Sequence, residues 1–174
     1  NDEGSLFCGT ENDGLFILNK EGEINSLKYE RSKTKGIKSN SIWSTFIDDK
    51  NRIWLGYFNQ GIDIYDKEKE RFKSIESIPN KDQSLYSKSV TAIAQDSQKR
   101  FWFGIADGGV DVYDPLTEKF THLIDQSNPI AKGLTSSNVV TVYIDKRENI
   151  WVGTWNSGLF LLEKGKSVFK NINI

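Results

Sequence analysis

The chain has 174 residues, 37% of them apolar, and its 23 Lys and Arg against 24 Asp and Glu give a formal net charge of −1. That length suffices for one domain with a sizeable core, and the charge balance leaves no bulk field to gather nucleic acid or an anionic membrane. No apolar run approaches the roughly 18 residues that would suggest a membrane span, and a single cysteine, Cys8, excludes an internal disulfide framework.

The chain begins at Asn1 and contains no methionine, so it is expected to be a piece of a longer protein. Its first patterned stretch, "LFCGTENDGLFIL" at 6–18, surrounds Cys8 with apolar residues and predicts a buried, inert thiol. Next come "SIWSTFI" at 41–47, the polar turn "DDKNR", and "IWLGYFNQGIDIYD" at 53–66. The same order returns as "SVTAIAQ", "DSQKR" and "FWFGIADGGVDVYD", and again as "NVVTVYI", "DKREN" and "IWVGTWNSGLFLLE". Short strands end the units near "RFKSI", "KFTHL" and "SVFKNI".

The repeat has near-constant spacing. Trp54, Trp102 and Trp151 stand 48 and 49 residues apart, and Phe7 stands 47 before Trp54. Two residues after each aromatic comes Gly9, Gly56, Gly104 or Gly153, and five further on Gly14, Gly61, Gly109 or Gly158. Six residues before each Trp sits Asp48, Asp96 or Asp145. The segments between are β-branched and aromatic with period-2 alternation, placing Ile62 and Ile64 on one face and Asp63 and Tyr65 on the other.

Four antiparallel strands in roughly 48 residues are the blade of a β-propeller. The predicted class is therefore all-β, a propeller fragment of about 3.6 blades. The blades are expected near 1–30 (partial), 40–75, 88–124 and 137–173. Closed propellers have about 4 to 8 blades, so an open arc or an excised part of a ring is expected. Its exposed ends would be covered by the remaining blades or by another copy. The Trp is expected to be a plate between blades, the following Gly a close backbone approach, and the Asp a turn acceptor.

Together these residues resemble the two-component regulator propeller repeat, most closely over 138–160, "NVVTVYIDKRENIWVGTWNSGLF". Phe7 departs from the family's Trp, and Tyr57 and Ile105 from its usual Thr. The resemblance implies the extracytoplasmic sensor of a hybrid histidine kinase, as in gut Bacteroidetes. It also implies a periplasmic location, a parent with a membrane helix, kinase, receiver and DNA-binding regions, and control of polysaccharide-utilisation genes by a glycan. No activity is expected of this fragment itself, and no cofactor, metal or direct nucleic-acid contact.

The loops between the two glycines vary within the repeating frame. Tyr57, Phe58 and Trp155 supply aromatic faces there, and Asn59, Gln60, Asp107 and Asn156 supply donors and acceptors. Stacking surfaces beside amides and carboxylates suit an oligosaccharide, although Asn and Asp also serve tight turns. Lys33, Lys35 and Lys38 make a basic cluster that reads as solvated loop. His122 is the single histidine, on an expected outer strand, with no metal-ligating partner and no evident orienting carboxylate. Two other readings stand beside the sensor. One is a protein-interaction scaffold, although the Gly-His and Trp-Asp pairs of WD repeats are missing. The other is a propeller lyase or lactonase, which needs a His or metal-binding carboxylates converging on the channel.

Overall fold

The computed structural model describes residues 4–32, 36–69, 71–79, 81, 83–123, 132–136 and 138–172. Lys33 and Lys35 of the basic cluster lie outside the described residues. The strands, in chain order, form four antiparallel meanders. The first is β1 (Leu6–Gly9), β2 (Leu15–Leu18) and β3 (Ile24–Leu27). The second is β4 (Ile42–Ile47), β5 (Ile53–Tyr57), β6 (Ile62–Asp66) and β7 (Arg71–Ile75). The third is β8 (Val90–Gln95), β9 (Phe101–Ile105), β10 (Gly109–Asp114) and β11 (Lys119–Leu123). The fourth is β12 (Val139–Ile144), β13 (Ile150–Thr154), β14 (Leu159–Leu162) and β15 (Lys170–Ile172).

The strands β4, β8 and β12 touch in series. The first strand of each complete sheet is thus innermost, and the sheets radiate as an arc of propeller blades. Phe7 on β1 occupies the place of Trp54 on β5, so the first sheet consists of the counterparts of β5–β7. Hydroxyls tie the inner row together: Ser44 Oγ donates to Val90 O at 3.2 Å and Thr91 Oγ1 to Val139 O at 3.0 Å.

Each sheet has two working faces. Register pairs Phe46 with Trp54 and Trp54 with Ile64, so these share the face toward the following sheet. Leu55, Asp63 and Ser74 share the face toward the preceding one. Between the second and third sheets Trp54, Ile62, Ile64 and Ile75 pack on Phe101, Phe103, Tyr113 and Phe120. Between the third and fourth, Trp102, Val112 and Leu123 pack on Ile150, Val152, Phe160 and Leu162. The glycine after each Trp lets neighbouring backbone come close. A Cβ at Gly56 would overlap Ser44 Oγ and lie 2.9 Å from Val90 Cγ1. Gly61 has φ +74°, where L side chains are strained.

The recurring aspartates organise their turns and also hold the tryptophans. Asp48 Oδ1 accepts from the amides of Lys50 and Arg52, and Oδ2 from Trp54 Nε1 at 2.9 Å. Asp96 and Asp145 accept from Trp102 and Trp151 Nε1, each at 3.0 Å. One carboxylate therefore satisfies a turn and the polar tip of a buried plate.

The two outer faces of the arc are open. On the first sheet Leu6 and Ile24 are exposed, and so is Cys8, contrary to its apolar setting in sequence. Cys8 pairs with Phe16 on the face that no preceding sheet covers. On the last sheet Tyr143 is exposed, and Trp151 is only partly buried.

Candidate functional site

A β-bulge interrupts the start of each inner strand, between Ile42 and Ser44, Val90 and Ala92, and Val139 and Thr141. A bulge takes one residue out of the ladder and re-aims its side chain. The residues so displaced, Trp43, Thr91 and Val140, all line one cavity of about 610 Å³. The loops after β5, β9 and β13 add Phe58, Asp107 and Trp155, and the inter-sheet connections add Ser87, Ser89 and Asn138. Trp43 and Phe58 form one wall, with ring centroids 4.7 Å apart and planes at 32°. Trp155 is 77% exposed. A concave mouth with three accessible aromatic rings and several polar groups has the make-up of a small-ligand site.

The anticipated loop residues divide. Phe58, Asp107 and Trp155 line the mouth, and Asn156 is exposed beside Trp155 on the same turn. Asn59 takes φ 59°, and its amide donates to Ser89 Oγ at 3.1 Å, so the turn accounts for it. Gln60 lines a separate small cleft with Lys38, Glu76 and Lys88. Tyr57 offers no face to the mouth. It is the last residue of β5, fully buried toward the preceding sheet, and its hydroxyl donates to Asp63 Oδ2 at 3.0 Å. Burial, and then the Asp63 carboxylate, push that hydroxyl far above the usual tyrosine range. Where Thr stands at the position of Tyr57, it closes the loop instead: Thr10 Oγ1 donates to Gly14 O and Thr154 Oγ1 to Gly158 O.

The buried acids Asp63 and Asp111 were not evident in sequence as a pair. They occupy the same position of β6 and β10 and hold the inter-sheet connections. Asp63 Oδ2 accepts from Lys38 N at 3.3 Å, and Asp111 Oδ2 from Tyr86 N at 2.8 Å. Ile37, Leu85 and Leu134, each five residues before Ile42, Val90 or Val139, are buried beneath those connections. That recurrence is visible in sequence. His122 does have an orienting carboxylate: its Nδ1 lies 2.6 Å from Asp111 Oδ1 across the β10–β11 ladder. Desolvation by burial raises the carboxyls of both Asp63 and Asp111. Their partners are loop amides and neighbouring side chains, which makes them clamps for the connections that frame the mouth. Among the described residues, no three His, Cys, Asp or Glu are grouped to hold a metal ion. No helix among the described residues is long and apolar enough to cross a membrane.

Residues 133–156 match the family model described as two component regulator propeller, so the chain carries that repeat there. No curated protein matches the chain. Among solved structures, the extracellular domain ascribed to the hybrid two component system BT3049 of B. thetaiotaomicron superposes with a TM-score of 0.83 at 24% identity, over 99% of this chain and 24% of that one. The extracellular domain ascribed to hybrid two component system BT4673 of the same organism gives 0.54 at 20%, over 90% of this chain and 25% of that one. Virginiamycin B lyase of Staphylococcus aureus gives 0.67 at 13%, over 100% of this chain and 53% of that one. The chain thus spans about a quarter of the length of the two extracellular domains. These likenesses establish the all-β propeller fold.

Proposed function

We propose that the chain is part of the ligand-sensing, extracytoplasmic propeller of a hybrid two-component system, and that its mouth binds an oligosaccharide. The observation that carries this reading is the Trp43–Phe58 pair beside the exposed Trp155, around a cavity furnished with Asp107, Asn138 and serine hydroxyls. Pyranose rings present apolar C–H faces to aromatic rings and hydroxyls to carboxylates and amides. The repeat at 133–156 supports the signalling context. In that context the parent is a sensor histidine kinase of the inner membrane, with this region in the periplasm. Occupancy of the mouth passes to its kinase and DNA-binding regions and regulates polysaccharide-utilisation genes. For a ligand to signal it must bind two states of the sensor unequally.

The open faces at both ends of the arc, Leu6 and Ile24 on one and Tyr143 on the other, are proposed to be covered by the remaining blades of a longer propeller. In the isolated chain another copy takes that role. The test of the ligand is titration calorimetry against a panel of host and plant oligosaccharides. The expected result is saturable binding to at least one glycan, lost in Trp155→Ala and in Trp43→Ala. Uniform failure across the panel, with a protein partner recovered instead, would replace the sensor by a scaffold.

A further inference from the structure

A second cavity, of about 440 Å³, lies between the third and fourth sheets at the Asp-turn end, opposite the mouth. Its origin is a set of size changes at equivalent positions of two neighbouring interfaces. Register places Ala94 where the previous interface has Phe46, Ile150 where it has Phe101, and Leu162 where it has Tyr113. The tryptophan is kept. Trp54 carries the ring of Phe101 on its face, 3.8 Å between centroids. Across the boundary Trp102 shares its cluster with Ile150, Val152, Phe160 and Leu162, and no aromatic ring stacks on it among the described residues. The cavity left beside it is lined by Trp102, Val112, Thr121, Ile150 and Leu162.

The rim is charged but unevenly engaged. Asp96 is paired with Arg100, Glu163 with Lys170, and Glu148 accepts from Ser97 N. Lys164 and Lys166 also line the cavity; neither is in an ion pair among the described residues, although Lys164 lies in the field of Glu148 and Lys166 in that of Glu163. The neighbouring interface indicates what fills this volume, an aromatic ring against the indole, and the two lysines set the charge of what brings it.

We propose that this inter-blade groove is a binding site for a small amphipathic anion, whose flat aromatic body lies against Trp102 and whose carboxylate meets Lys164 and Lys166. The volume is that of a small-ligand pocket, within about 300–1,000 Å³. The site is distinct from the mouth and does not depend on the oligosaccharide reading.

The test uses the 174-residue chain with naphthoate as probe and the indole N–H resonances as reporters. The Trp102 resonance is expected to shift saturably while those of Trp43 and Trp155 stay in place. Naphthylmethanol, the neutral counterpart, is expected to bind about five-fold more weakly, as is naphthoate to Lys164→Ala/Lys166→Ala. Ile150→Phe rebuilds the ring of the neighbouring interface and is expected to weaken naphthoate about ten-fold or more while keeping the fold. Ala94→Phe, at the Phe46 position, serves if Ile150→Phe does not fold. No saturable shift of Trp102 in the wild-type chain overturns the proposal. So does equal binding of acid and alcohol, or wild-type affinity in a folded ring-filled variant.

Discussion

The indole of Trp54 lies on the phenyl ring of Phe101, centroids 3.8 Å apart and planes at 26°, across the boundary between the second and third sheets. Both side chains are essentially inaccessible to water. The relationship converts a repeated sequence feature into a stability difference. Trp54→Ala removes a filled plate between two sheets and is expected to cost about 3–5 kcal/mol. Trp151, the same position of the last sheet, is only partly buried and has no following sheet. Trp151→Ala is expected to cost about half as much or less. Urea unfolding of the two variants measures the contrast, and equal losses would refute the assignment of the fourth sheet as the open end.

Gly56 separates that plate from its loop with no room for a side chain, because a Cβ would meet Ser44 Oγ and Val90 from the next inner strand. Gly56→Ala is expected to destabilise by about 1–3 kcal/mol through forced separation of two sheets. Gly153, where only Thr141 of its own sheet is near, makes the matched control, and Gly153→Ala is expected to be milder. The midpoint of denaturation reads both.

What recurs at fixed spacing was legible in sequence: the turn Asp holds the Trp indole in each complete sheet, and Gly56 and Gly104 each meet the next inner strand. The bulge residues Trp43, Thr91 and Val140 were not, because one residue dropped from a ladder leaves no trace in a run such as "SIWSTFI". The inner-strand side of the mouth was therefore missed, although the loops that carry Phe58, Asp107 and Trp155 were located. Tyr57 was misplaced for a related reason. Counted along β5 it shares the face of Leu55, opposite Trp54, so alternation sends it into the sheet boundary. Alternation placed Asp63 on the face opposite Ile62 and Ile64 but did not show what covers that face. Both faces of β6 and β10 are covered in a propeller, so a carboxylate there must find loop donors.

Asp145 accepts from the Trp151 indole and from the amides of Asn149 and Arg147, and these bonds hold its carboxyl down at about 2 despite the opposing effect of burial. Its ordinary value is about 4. A carboxyl whose folded value is depressed contributes stability above its unfolded value and loses it as pH falls through the folded one. The contribution of Asp145 is thus complete above about pH 4 and fades toward about pH 2. Asp63 and Asp111, raised by burial, act in the opposite sense, favouring the fold as they are protonated. The informative quantity is therefore the difference between wild type and Asp145→Asn. That difference is expected to be large at neutral pH and to shrink on acidification across this window. A difference independent of pH would remove the carboxylate from the account.

The open faces make a prediction about assembly. Internal boundaries bury a Trp face against the face bearing Phe101 and Phe103. The counterparts left exposed at the ends are Trp151 with Tyr143 on one side and Leu6 with Cys8 on the other. They are the two halves of one kind of boundary, so head-to-tail contact between copies is expected where no further blade is present. Sedimentation of the 174-residue chain should then depend on concentration, and Tyr143→Glu, which places a charge on the open face, should shift it toward monomer. Cys8 provides an independent reporter: a fluorophore on its thiol should be quenched by Trp151 of another copy as concentration rises. That quenching should be absent in Trp151→Phe. A chain that stays strictly monomeric at high concentration would mean that the exposed faces are sufficiently hydrated to stand alone, and the pairing of Trp151 with the Cys8 face would be wrong.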